Sequence, residues 1–366
     1  MTPDIAASIR ARLLQQAHAT GEEFERTLVR YGAERWLYRL SISAASTRCV
    51  LKGASLLAVW LPHAYRATRD VDLLAFGAAD AEAVPALIAE VCQVSCVEDG
   101  LTFNLSTLDV EPIRPDEEYP GIRARFWASL RGARIRMQVD VGFGDAVSPS
   151  PQEVEYPTML SHLPPPRLLA YPREACVAEK FEAMVKLDRR NSRMKDFHDV
   201  WALSTAFAFH GSTLQEAITA CFGRRGARWS AEPPAALTPV FYQRDETRKR
   251  WQAYLKGGDI LVMPPSRFED VGEHLIRFLK PVRDSIVAEA RFSEQWPPGG
   301  PWETAVPTRN SIRVGNGPDS VPSASPAGGS RNLESPVRRS LGRLRPDARH
   351  HGERRGVAIT CRCCRA

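Results

Sequence analysis

The segment ARIRMQVDVGFGD, residues 133–145, alternates between two kinds of side chain. Ile135, Met137, Val139 and Val141 fall on one side, and Arg134, Arg136, Gln138 and Asp140 on the other. A period of two marks a strand with one dry face and one wet face, so the chain must build a sheet. A second stretch, RATRDVDLL (66–74), reads as another strand and sets Asp70 and Asp72 on one side, with Thr68 on that same side. Residues i and i+2 of a strand lie about 6–7 Å apart. Two carboxylates that close repel each other unless a cation sits between them. The pair is either a solvated edge or turn, or a holder of divalent metal.

The proline-rich LPPPRLLAYP (163–172) separates two regimes of periodicity. Before it, Met1–Thr20 carries Ile5, Ile9, Leu13 and Ala17 at helical spacing, and Glu22–Leu40 puts Phe24, Leu28 and Tyr31 on one face. A short apolar run, Cys49–Leu51, and an alanine-rich helix over Ala79–Cys92 complete a mixed first half. After Pro172 the spacing is helical throughout: Glu174–Leu187, Met194–Phe209, Thr213–Cys221, Asp245–Leu255 and Phe268–Ile286. Ser266 and Glu269 have the spacing of a capping box for the last of these. The expected fold class is α+β, with N-terminal helices over 1–43, a small mixed-sheet domain over 44–162 and a helical domain over 163–292. Residues 293–366 are rich in Pro, Gly, Ser and Arg and show no sustained apolar period. They are expected to be a disordered tail.

The net charge of +6 on 366 residues invites a nucleic-acid reading, but its location argues otherwise. Residues 297–366 hold twelve arginines and five acids, which accounts for the whole excess and leaves the preceding residues close to neutral. Only local clusters can therefore argue for such a partner; an arginine-rich RNA-binding tail and an accidental extension both stay open. No run of about 18 apolar residues and no signal-peptide pattern is present, so no membrane association and a cytoplasmic location are expected. Of eight cysteines, Cys49, Cys92, Cys96, Cys176 and Cys221 lie among apolar residues, as reduced core thiols do. Cys361, Cys363 and Cys364 lack a paired spacing, and neither zinc nor redox chemistry is indicated.

Three constellations bear on chemistry. In KGASLL (52–57) Gly53 allows close approach of the backbone, and Ser55 either caps its own helix or offers hydroxyl and amide to a phosphate. Asp140 is either a surface acid balancing Arg134 and Arg136, or a third carboxylate beside Asp70 and Asp72 if the two strands are neighbours. Three such acids suit Mg²⁺, which takes oxygen ligands and shares substrate phosphates. In AEKFEAMVKLDRRNSRMKDFHDVWAL (178–203), Lys180 borders an apolar stripe and either snorkels to water or reaches a phosphate. Arg189, Arg190, Arg193 and Lys195 cluster ahead of Asp196 and Asp199, two acids on one helical face that would otherwise be a salt-bridged helix start.

A Gly-Ser helix start followed by Asp-x-Asp on the next strand resembles the polymerase-β-like nucleotidyltransferases. Together with the 178–203 block, QRDETRKRWQAYL and FEDVGEHLIRFLKP, it resembles the AbiEii/AbiGii nucleotidyltransferase toxins over roughly Tyr31–Ile286. That resemblance implies a polymerase-β-like domain followed by a helical one. It implies nucleotide binding by Gly53, Ser55, Thr68, Lys180, Lys195 and Asp199, with Ala54 standing where family members often have a second glycine. It makes Asp70, Asp72, Lys180 and Asp196 the catalytic set, Asp196 nearest the acceptor, and Asp70, Asp72 and Asp140 the ligands of a two-metal Mg²⁺ site. It further implies an NTP substrate, a tRNA 3′ end or other RNA hydroxyl as acceptor, a role in phage defence and a cognate antitoxin. Self-modification, for which Thr68 is an acceptor within reach, transfer to a small molecule, and a non-catalytic NTP-like binding module are the alternatives.

Overall fold

The chain opens with α1 (Ile5–Thr20) and α2 (Phe24–Ile42), where the four-residue spacing predicts helices. Asp4 starts α1 by accepting the Ala7 N–H at 2.9 Å, and Gly21, at φ 69°, ends it. The computed structural model describes residues 4–61, 70–76, 82–113, 121–144, 147–227, 229–257, 260 and 262–304, all within the unit Met1–Pro307. Thr68 and residues 305–366 lie outside the described residues.

Then come β1 (Cys49–Lys52), a tight turn over Gly53–Ser55, α3 (Leu56–Trp60), β2 (Val71–Ala75) and α4 (Ala83–Cys92). Five more strands follow: β3 (Leu101–Pro112), β4 (Ile122–Leu130), β5 (Ala133–Phe143), β6 (Gln152–Glu155) and β7 (Arg167–Ala170). The seven form one mixed sheet in the order β3-β4-β5-β2-β1-β7-β6. The β2–β5 and β1–β7 pairs are parallel, the others antiparallel. The alternation in β5 has its expected result: Ile135, Met137, Val139 and Val141 are buried, and the polar set faces away from the core. β4 alternates in the same way, burying Ile122, Ala124, Phe126, Ala128 and Leu130.

Helix α2 covers β5, and α4 covers β3 and β4. Beneath them, Arg39 and Asp99 form a buried ion pair, with Arg39 Nη2 3.0 Å from Asp99 Oδ1. Tyr31 adds a hydroxyl bond to the Asp99 carbonyl at 2.8 Å. Such a pair gives little net stability, but losing one partner would strand a buried charge.

The second half is built from α5 (Arg173–Leu187), α6 (Met194–Ala206), α7 (Gly211–Arg224), α8 (Pro239–Gln243), α9 (Asp245–Leu255) and α10 (Phe268–Val287). Its core is aromatic: Phe197 stacks on Phe241 at 5.7 Å and meets Phe268 edge-on at 5.4 Å. Leu57 of α3 belongs to this core although α3 follows the sheet's first strand.

Four expectations need correction. Arg167–Ala170, inside the span read as helical, is β7; the Tyr171 N–H that follows bonds the Leu51 carbonyl at 2.9 Å. Helix α6 stops at Ala206, because Phe209–His210 (β8) pairs with Gln295–Trp296 (β9) in a small second sheet. Ser266 does not cap α10: Arg267 is the N-cap, without a side-chain bond, and Glu269 is held by Arg248 at 2.5 Å. Finally, residues 293–304 are ordered. Trp296 is 1% exposed and donates its indole N–H to the Ser204 carbonyl at 2.7 Å, and Trp302 donates to Phe278 O at 2.9 Å. Two indoles anchor this stretch without any periodicity, which is why the sequence pattern does not reveal it.

Candidate active site

Strand register gathers the charged residues. Lys52 on β1 opposes Asp72 on β2, Asp72 lies beside Asp140 on β5, and Asp140 opposes Arg123 on β4. In-register residues share a sheet face. The result is a row reading Lys52, Asp72, Asp140, Arg123: two carboxylates flanked by two cations. Asp70, two residues before Asp72, adds its charge to the same locality. The hydrophobic residues between, Val71 and Leu73, point into the core and fix the acids on the opposite side.

Gly53 is what lets the row close. It sits at φ +72°, and a Cβ there would come within 2.1 Å of Asp72 Oδ2. Any side chain at this turn would displace the carboxylate. Ser55, 2% exposed, donates its hydroxyl to the Asp70 carbonyl at 3.2 Å and makes no cap bond to its own helix. The capping role is therefore not the one Ser55 takes. The hydroxyl ties the glycine turn to the acidic strand.

Burial raises the Asp72 carboxyl to about 6, with Asp140 and then Asp70 pushing the same way, against Lys52 and Lys195. Lys52 extends across the sheet face, its ammonium 3.2 Å from where a Cβ on Gly142 would lie. It pairs with Glu179 Oε1 of α5 at 3.2 Å and stands over the Tyr171 ring at 5.7 Å. Glu179 also receives Arg225 at 3.1 Å, so this ionic chain links the sheet to the helical half.

The helical half presents its own cations. Lys180 of α5 lies 2.6 Å from Asp199 Oδ2 and 3.4 Å from Asp196 Oδ1, both on α6. Arg193, one residue before α6, meets Asp196 Oδ2 at 2.5 Å. Burial works against the Arg193 charge, but Asp196, then Asp72 and Asp199, outweigh it and hold the guanidinium charged. Arg193 and exposed Lys195 thus act electrostatically on Asp72 from the other half.

Asp196 and Asp199 are each fully buried. The two carboxylates lie behind Lys180 and hold its ammonium in place.

Asp140 also departs from expectation. Both its oxygens are taken by Arg123, Nε to Oδ1 at 2.8 Å and Nη2 to Oδ2 at 2.7 Å, and Gln138 adds a bond to Oδ1 at 3.3 Å. The acid is balanced, but by Arg123 rather than by Arg134 or Arg136. Among the described residues no group of three or more His, Cys, Asp or Glu side chains is arranged as a metal site. Asp70 and Asp72 remain, and one or two carboxylates plus substrate phosphates suffice for Mg²⁺. The donor chemistry fits.

Several supporting residues escaped the sequence. Asn191 is buried in the turn between α5 and α6, where its Oδ1 accepts the Arg193 N–H at 2.8 Å. Arg250 of α9 donates to the Asn191 carbonyl at 3.0 Å, and Arg244 to the Arg189 carbonyl at 3.1 Å. These arginines set the turn that aims Arg193. Lys52 had a signal, as a basic residue at a strand end just before Gly53; Arg123 had none until β4 was known.

A mixed sheet bearing adjacent carboxylates, a glycine turn packed against them and a facing set of cations has the features of a nucleotidyltransferase. The family described as "Nucleotidyl transferase AbiEii toxin, Type IV TA system" matches residues 35–274, and the chain belongs to that family. Membership makes it a nucleotidyltransferase toxin of a type IV toxin–antitoxin system and implies an antitoxin partner. No curated protein matches it. Two solved structures from Helicobacter pylori are similar. One is JHP933, with 11% identity and a TM-score of 0.41 over 70% of this chain and 90% of that one. The other is described as a nucleotidyltransferase, with 12% identity and a TM-score of 0.41 over 73% and 96%. Likeness at that level does not define an activity. No helix among the described residues is long and apolar enough to cross a membrane.

Proposed function

We propose that the chain transfers a nucleoside monophosphate from an NTP to an RNA hydroxyl in the cytoplasm, with the tRNA 3′ end as the acceptor. The observation that carries this reading is the register pairing of Asp72 with Asp140 on one sheet face, with Arg193 and Lys195 of the helical half acting on Asp72 by charge. Carboxylates suit a hard cation, and facing cations suit a triphosphate.

Asp70 and Asp72 would hold Mg²⁺, which when bound neutralises phosphate charge and favours ionisation of the attacking hydroxyl. Lys180, fixed by Asp196 and Asp199, and Arg193, fixed by Asp196 and Asn191, would bind the triphosphate without needing to reorganise. Lys195 and the exposed Arg189 and Arg190 would meet the backbone of the acceptor RNA by charge. The acceptor oxygen bonds the α-phosphorus as its bond to pyrophosphate breaks, and the hydroxyl proton passes to water. Positioning and charge supply most of the rate, as in phosphoryl transfer generally.

The test is incubation of the full chain with each α-labelled NTP, Mg²⁺ and total tRNA. Transfer of label by wild type and its loss in Asp72→Asn support the reading. Absence of transfer with all four NTPs, or equal transfer by the variant, sinks it. Label on the protein instead of the RNA would point to self-modification.

A further inference from the structure

The row across the sheet contains one residue for which the reading above has no use. Arg123 on β4 occupies Asp140 with a two-pronged contact, at 2.8 and 2.7 Å, so that both carboxylate oxygens are engaged. Its side chain is 27% exposed and that of Asp140 13%, so the pair is neither deep in the core nor fully solvated. Arg123 also lies within the electrostatic reach of Asp70 and Glu111. The neighbouring arginine on the same strand face, Arg125, has a different partner, Glu111, at 2.7 Å. Arg123 is thus set apart on Asp140, the carboxylate next to Asp72.

A guanidinium and a divalent cation compete for the same carboxylate oxygens. An arginine fork takes one lone pair on each oxygen and sets a positive charge against the carboxylate, so a metal binding there must work against that charge. At the other end of the row Lys52 pairs with Glu179, away from the Asp140 oxygens. Arg123 flanks Asp140 on the side away from Asp72 and is the cation paired with it.

Resting on the proposed Asp70–Asp72 metal site, we infer that Arg123 is the resting counter-ion of Asp140. It competes with a divalent cation for that carboxylate, so that Asp140 joins the metal ligands only when the guanidinium lets go. Arg123 therefore lowers the affinity of the chain for metal and keeps the acids balanced before metal arrives. An arginine released from Asp140 beside a bound triphosphate would also gain a phosphate as its next partner, which couples metal entry to nucleotide entry.

The experiment is calorimetric titration of the full chain with Mn²⁺ alone, for wild type, Arg123→Gln, Asp140→Asn and the double variant, each checked by thermal melting. Freeing a half-buried carboxylate should make Arg123→Gln bind Mn²⁺ about tenfold more tightly than wild type. In the Asp140→Asn background the same substitution should change nothing. If Arg123→Gln fails to fold, Arg123→Lys takes its place: one ammonium covers only one oxygen well, so binding tightens about threefold. Wild type and the arginine variant binding Mn²⁺ equally, or the variant binding more weakly, overturns the inference and leaves the Asp70–Asp72 site standing. Mn²⁺ uptake by none of the proteins overturns both.

Discussion

The Lys180 ammonium lies 2.6 Å from Asp199 Oδ2, joining α5 to α6. Asp199 is fully buried and Lys180 nearly so, with a side chain 11% exposed. A lysine beside an apolar stripe ordinarily runs out to water; here two buried carboxylates hold it in place. Asp199→Asn should loosen it. We expect KM for the nucleotide to rise about tenfold, with kcat changed less, because the cation binds the triphosphate in ground and transition states alike. Steady-state kinetics over a range of NTP concentrations measures the split. An unchanged KM would show that Lys180 does not contact the nucleotide.

Asp72→Asn keeps the shape of the side chain and removes the charge. Transfer should fall about a thousandfold or more, the scale on which losing preorganised charge at a reacting centre acts. The melting temperature should hold or rise, since burial and the neighbouring Asp140 and Asp70 charges already disfavour the ionised form in the folded protein. A fall in activity accompanied by loss of fold would instead assign Asp72 a structural role.

Gly53→Ala tests the closest contact in the site. The added methyl would come 2.1 Å from Asp72 Oδ2 at a backbone φ of +72°, so the turn or the carboxylate must move. Stability should drop by about 1 kcal/mol from the left-handed backbone alone. Activity should fall about a hundredfold, because a shift of an ångström in a reacting group costs that much. Denaturant melts and label transfer on the same preparation separate the two effects.

His274 supplies a pH dependence remote from the site. Burial lowers its pKa from the ordinary value to about 4, with Arg277 adding to it, and its Nε2 bonds Ser204 Oγ at 2.8 Å. The unfolded chain therefore takes up a proton near pH 6.5 that the folded chain refuses until about pH 4. Stability is fully present above pH 6.5 and is lost as the pH falls through that window, by about 3 kcal/mol in all. His274→Gln should flatten the slope of the unfolding free energy between pH 6.5 and 4. An equal slope in both proteins would refute the assignment.

Trp296 ties the stretch 293–304 to α6 and α10. It is 1% exposed and packs at 4.9 Å from the Phe278 ring. Trp296→Ala should cost about 3–5 kcal/mol, the range for removing a large aromatic from a core. Guanidinium unfolding of the full chain measures it; a cost under about 1 kcal/mol would mean that the stretch is not part of the folded unit.

Much of the frame was open to inspection in the sequence. Period two at 133–145 requires a strand, because only that geometry buries Ile135, Met137, Val139 and Val141 while wetting their neighbours. Spacings of three and four make helices of 245–255 and 268–286 for the same reason. The Asp-x-Asp pair and the Gly53 turn were equally visible, since local chemistry alone marks them as unusual. Register was not. That Asp72 stands beside Asp140, that Arg123 rather than Arg134 or Arg136 takes the Asp140 charge, and that Asp196 and Asp199 face inward to hold Lys180 depend on which strand and helix lie next to which. Periodicity fixes the face of a side chain within its own element. The neighbour across the gap is chosen by the packing of whole elements, as when Leu57, one turn past the glycine loop, enters the helical core and brings Lys52 to Glu179.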